Sequence, residues 1–102
     1  MIDANDELFT AVKRDLQITW YDVNTDLSLV EYISNGVVEL DGIAGAPQDY
    51  ASPGLPRRLL FDYARYARAE ALDEWKQNYR SDLTQLRVNR ISEEEKYAEK
   101  TE

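Results

Sequence analysis

The sequence predicts an all-α protein: a small antiparallel bundle of three main helices plus a short C-terminal helix, with a long loop between helices 2 and 3. Three observations lead there. Apolar residues recur at three- and four-residue steps along separate stretches of the chain. Acids, Asn and Pro stand where those stretches should begin as helices. Gly, Pro, Ser and Ala gather between residues 42 and 55, where no regular element can continue. With 102 residues and 11.8 kDa the chain has room for one domain and one modest core. Hydrophobic residues make up 43% and charged residues 31%, so global disorder and a membrane span are not expected.

The first helix is expected to begin near Asp6, with Asn5 or Asp3 as N-cap, and to set Leu8, Phe9, Val12 and Leu16 on one face. The connector Ile18-Thr19-Trp20-Tyr21-Asp22-Val23-Asn24 is rich in β-branched and aromatic residues and could form a brief extended piece. Thr25 or Asn24 then caps a second helix from Asp26 to about Asp41, whose stripe is Leu29, Val30, Ile33, Val37 and Leu40. Gly42 stands where a helix stop belongs. The segment from Gly42 to Leu55 reads as a long loop, of the kind that is functional or mobile.

Pro56 fits a helix N1 position, and Arg57 to about Tyr79 reads as one unbroken helix, with no Gly or Pro inside. On a helical wheel Arg58, Asp62, Arg65, Asp73, Lys76 and Arg80 form one polar stripe. Leu60, Ala64, Ala67 and Ala71 form a small-residue strip, and Phe61, Leu72, Trp75 and Tyr79 an aromatic-rich flank. Two apolar flanks need two partners: either another subunit covers one, or a three-helix core wraps both. Ser81 could cap a short last helix carrying Leu83, Leu86 and Ile91, and Ser92-Glu93-Glu94-Glu95 matches a capping box. Residues 1–87 are thus expected to form the domain. Residues 88–102 are expected to be a charged tail, disordered until bound.

Charge is polarised along the chain. Residues 1–56 hold ten acids against Lys13 and Arg14, residues 57–90 hold eight bases against five acids, and the tail is acidic again, for a net charge of −8. The two readings are solvated helix faces, or a subunit whose basic side meets the acidic side of a neighbour. Bulk phosphate binding is disfavoured by the overall balance. The absence of Cys and His removes thiolate chemistry, imidazole catalysis and the usual zinc sites. The first seven residues lack the basic region and apolar run of a signal peptide, so the interior of a cell is the expected setting.

Short motifs fail on inspection. Asp22-x-Asn24-x-Asp26 opens like a calcium loop, but Leu27 replaces the turn Gly and Ile33 the closing Glu, so helix capping explains the residues better. Gly42-Ile43-Ala44-Gly45 lacks the basic neighbours of a nucleic-acid clamp. Carboxylate pairs are plentiful and none is singled out for general acid and base work. Arg57, Arg58, Arg65 and Arg68 with Tyr63 and Tyr66 could stack on single-stranded nucleic acid, yet Asp62, Glu70 and Asp73 lie among them. Protein contact suits these residues better. No cofactor, metal or enzymatic activity is expected.

Two runs carry a resemblance. Leu8-Phe9-Thr10-Ala11-Val12-Lys13-Arg14-Asp15-Leu16-Gln17-Ile18-Thr19-Trp20, followed by Asp22, Thr25-Asp26 and Ile33, resembles the N-terminal half of the head-to-tail connector proteins of long-tailed bacteriophages. Leu55-Pro56-Arg57-Arg58-Leu59-Leu60-Phe61-Asp62-Tyr63-Ala64-Arg65-Tyr66-Ala67-Arg68, then Glu70-Ala71-Leu72-Asp73-Glu74-Trp75 and Asn78-Tyr79, is similar to the long helix of that family in phages of Gram-positive hosts. The likeness spans about residues 8–87.

The resemblance implies a head completion adaptor, assembled in the host cytoplasm and resident in the virion, that docks under the portal ring. It implies a self-assembled ring of about twelve copies that extends the DNA channel and offers a platform to a stopper or tail completion protein. DNA would pass through without sequence-specific binding, and no membrane is involved. Subunit packing would come from Phe61, Tyr63, Tyr66, Leu72 and Trp75, with Arg65 and Arg68 in salt bridges. The loop, with Gly45, Pro47, Asp49, Tyr50 and Pro53, would face the channel or the next ring. The tail, through Arg87, Arg90, Ile91 and Tyr97, would order on the portal. The alternative is a small acidic helical regulator, antitoxin- or antirepressor-like, that binds one protein partner as a dimer; a carboxylate enzyme is a third class.

Overall fold

A computed structural model describes residues 7–89 of the chain. Among them the protein is all-helical: α1 (Glu7–Asp15), α2 (Val23–Ala44), α3 (Leu55–Arg68), α4 (Leu72–Asn78) and helical residues 80–89, here α5. The connector at 18–22 forms no strand, so the extended piece expected there is absent. Among the described residues no helix is long and apolar enough to cross a membrane.

α2 is longer than its predicted span at both ends. Asp22, not Asn24 or Thr25, is the N-cap: its Oδ2 accepts from the Thr25 backbone N–H at 3.0 Å and from the Thr25 hydroxyl at 2.7 Å. At the other end Gly42 does not stop the helix, because Leu40, Ile43 and Ala44 continue the inward stripe past it. The stop is Gly45, left-handed at φ 84°, whose N–H donates to the Asp41 carbonyl at 2.8 Å. The loop is correspondingly shorter than expected, residues 45–54.

The predicted single helix from Arg57 to Tyr79 is interrupted at residues 69–71, so α2 and not this segment is the longest element. Glu70 takes the left-handed conformation at φ 57°, with its N–H bonded to the Ala67 carbonyl and the Ala71 N–H to the Tyr66 carbonyl at 2.8 Å. That pair of bonds is a Schellman stop made without glycine. α1 ends the same way: Gln17 has φ 60°, its N–H reaches the Arg14 carbonyl, and the Ile18 N–H reaches the Lys13 carbonyl. A non-glycine residue in this region costs about 1 kcal/mol, so tertiary packing must outweigh both stops.

The packing that outweighs them is visible around Trp75. After the break, α4 folds back along α3 and sets the Trp75 indole edge-on against Tyr63, with centroids 5.0 Å apart and planes at 88°. Trp75 is fully buried, and its indole N–H has no acceptor among the described residues, so burial and ring contact are what it contributes. Val12, Leu29, Ile33, Leu40, Leu59, Leu60 and Leu86 complete the dry centre. α2 and α3 meet closely at Gly36, where an added Cβ would lie 2.6 Å from Leu60 Cδ1 and 2.8 Å from Tyr63 Cδ1.

Two substitutions separate packing from propensity. Gly36→Ala should destabilise by about 1–3 kcal/mol through overpacking, whereas Gly42→Ala, where a Cβ meets nothing within 4 Å, should stabilise by about 0.5–1 kcal/mol; urea unfolding midpoints read both. Glu70→Gly should raise the midpoint by the equivalent of about 0.5–1 kcal/mol. In an unbroken helix the same change would lower it by about as much, so the sign reports on the break.

Candidate functional site

The face built around the connector and the α1–α3 seam gathers most of the chain's uncommon groups. α1 carries Lys13 and Arg14 in its last turn, where positive charge suits the helix C-terminus. Lys13 Nζ donates to Asp26 Oδ1 at 2.8 Å, tying α1 to the first turn of α2 with both side chains mostly sheltered. Arg65 Nη2 donates to Asp15 Oδ2 at 2.6 Å, tying α3 to the end of α1. Arg68 lies over the Trp20 ring, its guanidinium carbon 5.7 Å from the centroid. Between these contacts runs an open cleft of about 630 Å³, lined by Asp15, Leu16, Gln17, Arg65, Arg68 and Ala69.

Two helix C-termini, those of α1 and α3, end at this cleft, so their outward carbonyls place partial negative charge in it. Arg65 and Arg68 offset that charge. The cleft is therefore better suited to holding helix ends than to capturing an anion. Among the described residues no group of three His, Cys, Asp or Glu side chains could hold a metal ion.

The seven residues assigned to subunit packing divide into three sets. Tyr63 and Trp75 are core residues of the chain itself, so the aromatic flank finds its partner within the fold. Phe61, Tyr66 and Leu72 are partly buried against that core; Arg57 covers the Phe61 ring at 4.7 Å, and Tyr66 meets Tyr79 edge-on at 5.9 Å while its hydroxyl accepts from Asn78 at 3.3 Å. Burial, with Asp62 and Tyr66 alongside, pushes the Tyr79 phenol up to about 12. Arg65 and Arg68 are exposed, and their contacts are with Asp15 and Trp20 of the same chain.

The loop residues are also brought into order. Gly45 caps α2, while Pro47 and Pro53 are exposed. Asp49 Oδ1 accepts from the backbone N–H groups of Ala51 and Ser52, which with the Ser52 hydroxyl hold its carboxyl below the usual range. Tyr50 is buried, its hydroxyl donating to Asp41 Oδ1 at 2.7 Å; burial first, and that carboxylate second, push its phenol far up. Arg57 donates to the Tyr50 and Ala51 carbonyls. The segment is thus a fastened strap across the end of α2. Of the tail residues, Arg87 is exposed on α5, which runs through position 87 to 89, and Arg90, Ile91 and Tyr97 lie outside the described residues, as do the capping box at 92–95 and the N-caps Asp3 and Asn5.

One surface was not assigned by residue pattern. Trp20, Tyr21, Val23 and Leu27, in the connector and at the start of α2, are 49%, 82%, 53% and 63% exposed. The signal available was two consecutive aromatic residues in a polar connector, with Val23 and Leu27 four apart and off the Leu29, Ile33, Leu40 stripe.

No family model, curated protein or solved structure matches this chain.

The Asp22 cap gives an acid-range test. Its hydrogen bonds to Thr25 hold the carboxyl below its ordinary value of 3.8, so its contribution to stability is present above that pH and is lost as pH falls through the lower folded value. Asp22→Ala should lower the melting temperature by a constant amount above about pH 5, and the gap to the parent should close as pH drops well below 3.8. Melting curves by circular dichroism across that range check it.

Proposed function

We propose that the protein is a phage head completion, or head-to-tail connector, protein that forms a ring under the portal, extends the DNA channel and provides the platform for a stopper or tail. The observation that carries this reading is the pair of runs, Leu8 to Trp20 and Leu55 to Arg68, that resemble the connector family. Distant in sequence, they meet in space. Arg65 binds Asp15 and Arg68 lies on Trp20, so the stretches that carry the resemblance build one continuous face.

The physical properties of the protomer suit this work. An all-helical protomer with an uneven charge distribution can form heterologous contacts that close into a ring. A net charge of −8 favours a passage along which DNA slides without adhering. The strap at 45–54, anchored by Asp41, Tyr50 and Arg57, offers a rigid rim for a channel or for the next ring.

The purified chain mixed with tailless, DNA-filled heads or isolated portal rings from the same source should co-sediment saturably at one copy per portal subunit. Absence of binding to a competent portal would transfer the reading to a small regulator that acts on one protein partner.

A further inference from the structure

α2 is apolar on more than its inward side. Leu29, Ile33, Gly36 and Leu40 are buried, yet Val23, Leu27 and Val38 of the same unbroken helix are largely exposed, Val38 to 73%. At 3.6 residues per turn, Val23, Leu27, Glu31, Ser34, Val38 and Gly42 fall within one arc of roughly 100°, turned away from the buried residues. Asn24 lies at one margin of that arc, and Asp41 at the other is held by the strap through Gln48 and Tyr50. Glu31 is thus the one charge in the arc without a printed partner in the fold. The remaining sides of α2 are taken within the protomer. α1 is tied to it through Lys13 and Asp26, α3 packs on Gly36, and α4 reaches it through Lys76 and Glu39.

Gly42 is the second observation. A glycine inside a helix costs stability relative to alanine, and a Cβ at Gly42 would meet nothing within 4 Å. Gly36 is required by Leu60 and Tyr63; nothing inside the protomer requires Gly42. A glycine on an outward face does permit another helix to come close. We propose that two copies pair through this arc, α2 against α2 in antiparallel, with Leu27 of each copy seated against Val38 and over Gly42 of the other.

The occupant is a second copy because the arc complements itself. Its first half is bulky, with Val23 and Leu27, and its last turn is hollow at Gly42. An antiparallel pair sets the bulky half of each copy on the hollow half of the other, as an isologous contact demands. Leu27 and Val38, about 17 Å apart along the axis, lie symmetrically about its middle, so each meets the other across the two-fold. Glu31 falls near that two-fold, beside Asn35 of the second copy, whose amide can donate to it. The two Glu31 carboxylates also approach one another, which opposes the pairing. An isologous pair closes at two copies, so it is a state of the free chain, distinct from the heterologous contacts of a ring, and it does not rest on the connector reading.

One helix per copy makes a contact at the small end of specific interfaces, so sedimentation velocity on the full chain should run to protein concentrations on the order of 1 mM. The parent should form a dimer and nothing larger. Leu27→Lys with Val38→Lys, both at exposed positions, should weaken it about tenfold or more, although the pair of changes reduces the overall negative charge that holds copies apart. Leu27→Lys with Val38→Glu should restore it, because the antiparallel register sets each lysine against a glutamate of the other copy; a parallel pair would set like against like. Glu31→Gln should tighten the dimer. Gly42→Ala is the sharpest variant, since it should raise the urea midpoint of the fold and weaken the dimer severalfold. Circular dichroism and urea unfolding verify each fold. A parent that stays monomeric at 1 mM, a double-lysine variant that associates as before, a charge-reversed pair that recovers nothing, or Gly42→Ala with undiminished association overturns the contact. Portal co-sedimentation is scored separately, so either reading can fail alone.

Discussion

The close approach of α2 and α3 at Gly36 sets the geometry on which the other elements depend. With no side chain there, Leu60 and Tyr63 lie directly against the α2 backbone. Tyr63 is then held with one side toward α2 and its ring available to Trp75. That single aromatic pair brings α4 into the core, and α5 follows with Leu83 against the cluster and Leu86 inside it. A methyl group at position 36 would propagate outward through each of these layers, because a close-packed interior has little free volume to absorb it.

The two left-handed stops at Gln17 and Glu70 are the counterpart of that seam. Each turns the chain sharply at the end of a helix, and each accepts local strain that burial elsewhere offsets. The two turns sit at the same end of the molecule, where Arg65 and Arg68 neutralise the carbonyl ends of α1 and α3. Sharp turns at this end carry the connector outward, so Ile18 enters the core while Trp20 and Tyr21 remain on the surface. The exposure of Trp20 and Tyr21 is thus a product of how α1 stops. The opposite end is closed differently, by the Asp41 carboxylate, the Tyr50 hydroxyl and the Arg57 guanidinium across the strap.

The proposed connector role calls for protomers with directional contacts, and the two ends of the molecule differ in the chemistry they present. One end carries the strap fastened by Asp41, Tyr50 and Arg57, the other the exposed Trp20 ring beneath Arg68, within a chain of net charge −8. The arginines most visible in sequence are largely consumed within the protomer: Arg57 by loop carbonyls and the Phe61 ring, Arg65 by Asp15. Arg68 is taken up by the Trp20 ring.

The all-helical class, the inward stripe of α2 and the existence of a short last helix with Leu83 and Leu86 were legible in residue spacing, because burial imposes the helical period directly on the order of apolar residues. Asp22, Asp26 and Arg65 were visible as residues without showing which would cap, which would pair within the chain and which would face outward. Helix ends were the weak point. Gly42 carries the mark of a stop and continues a helix, since Ile43 and Ala44 still face the core; Glu70 and Gln17 carry no mark and end one. A left-handed residue without glycine costs local energy, so no local preference announces it. Only the gain from burying Trp75 against Tyr63, residues twelve apart that an unbroken helix would hold well separated along its axis, selects the bent chain over the straight one. Tertiary structure therefore decided where the long helix breaks and which aromatic residues the surface keeps.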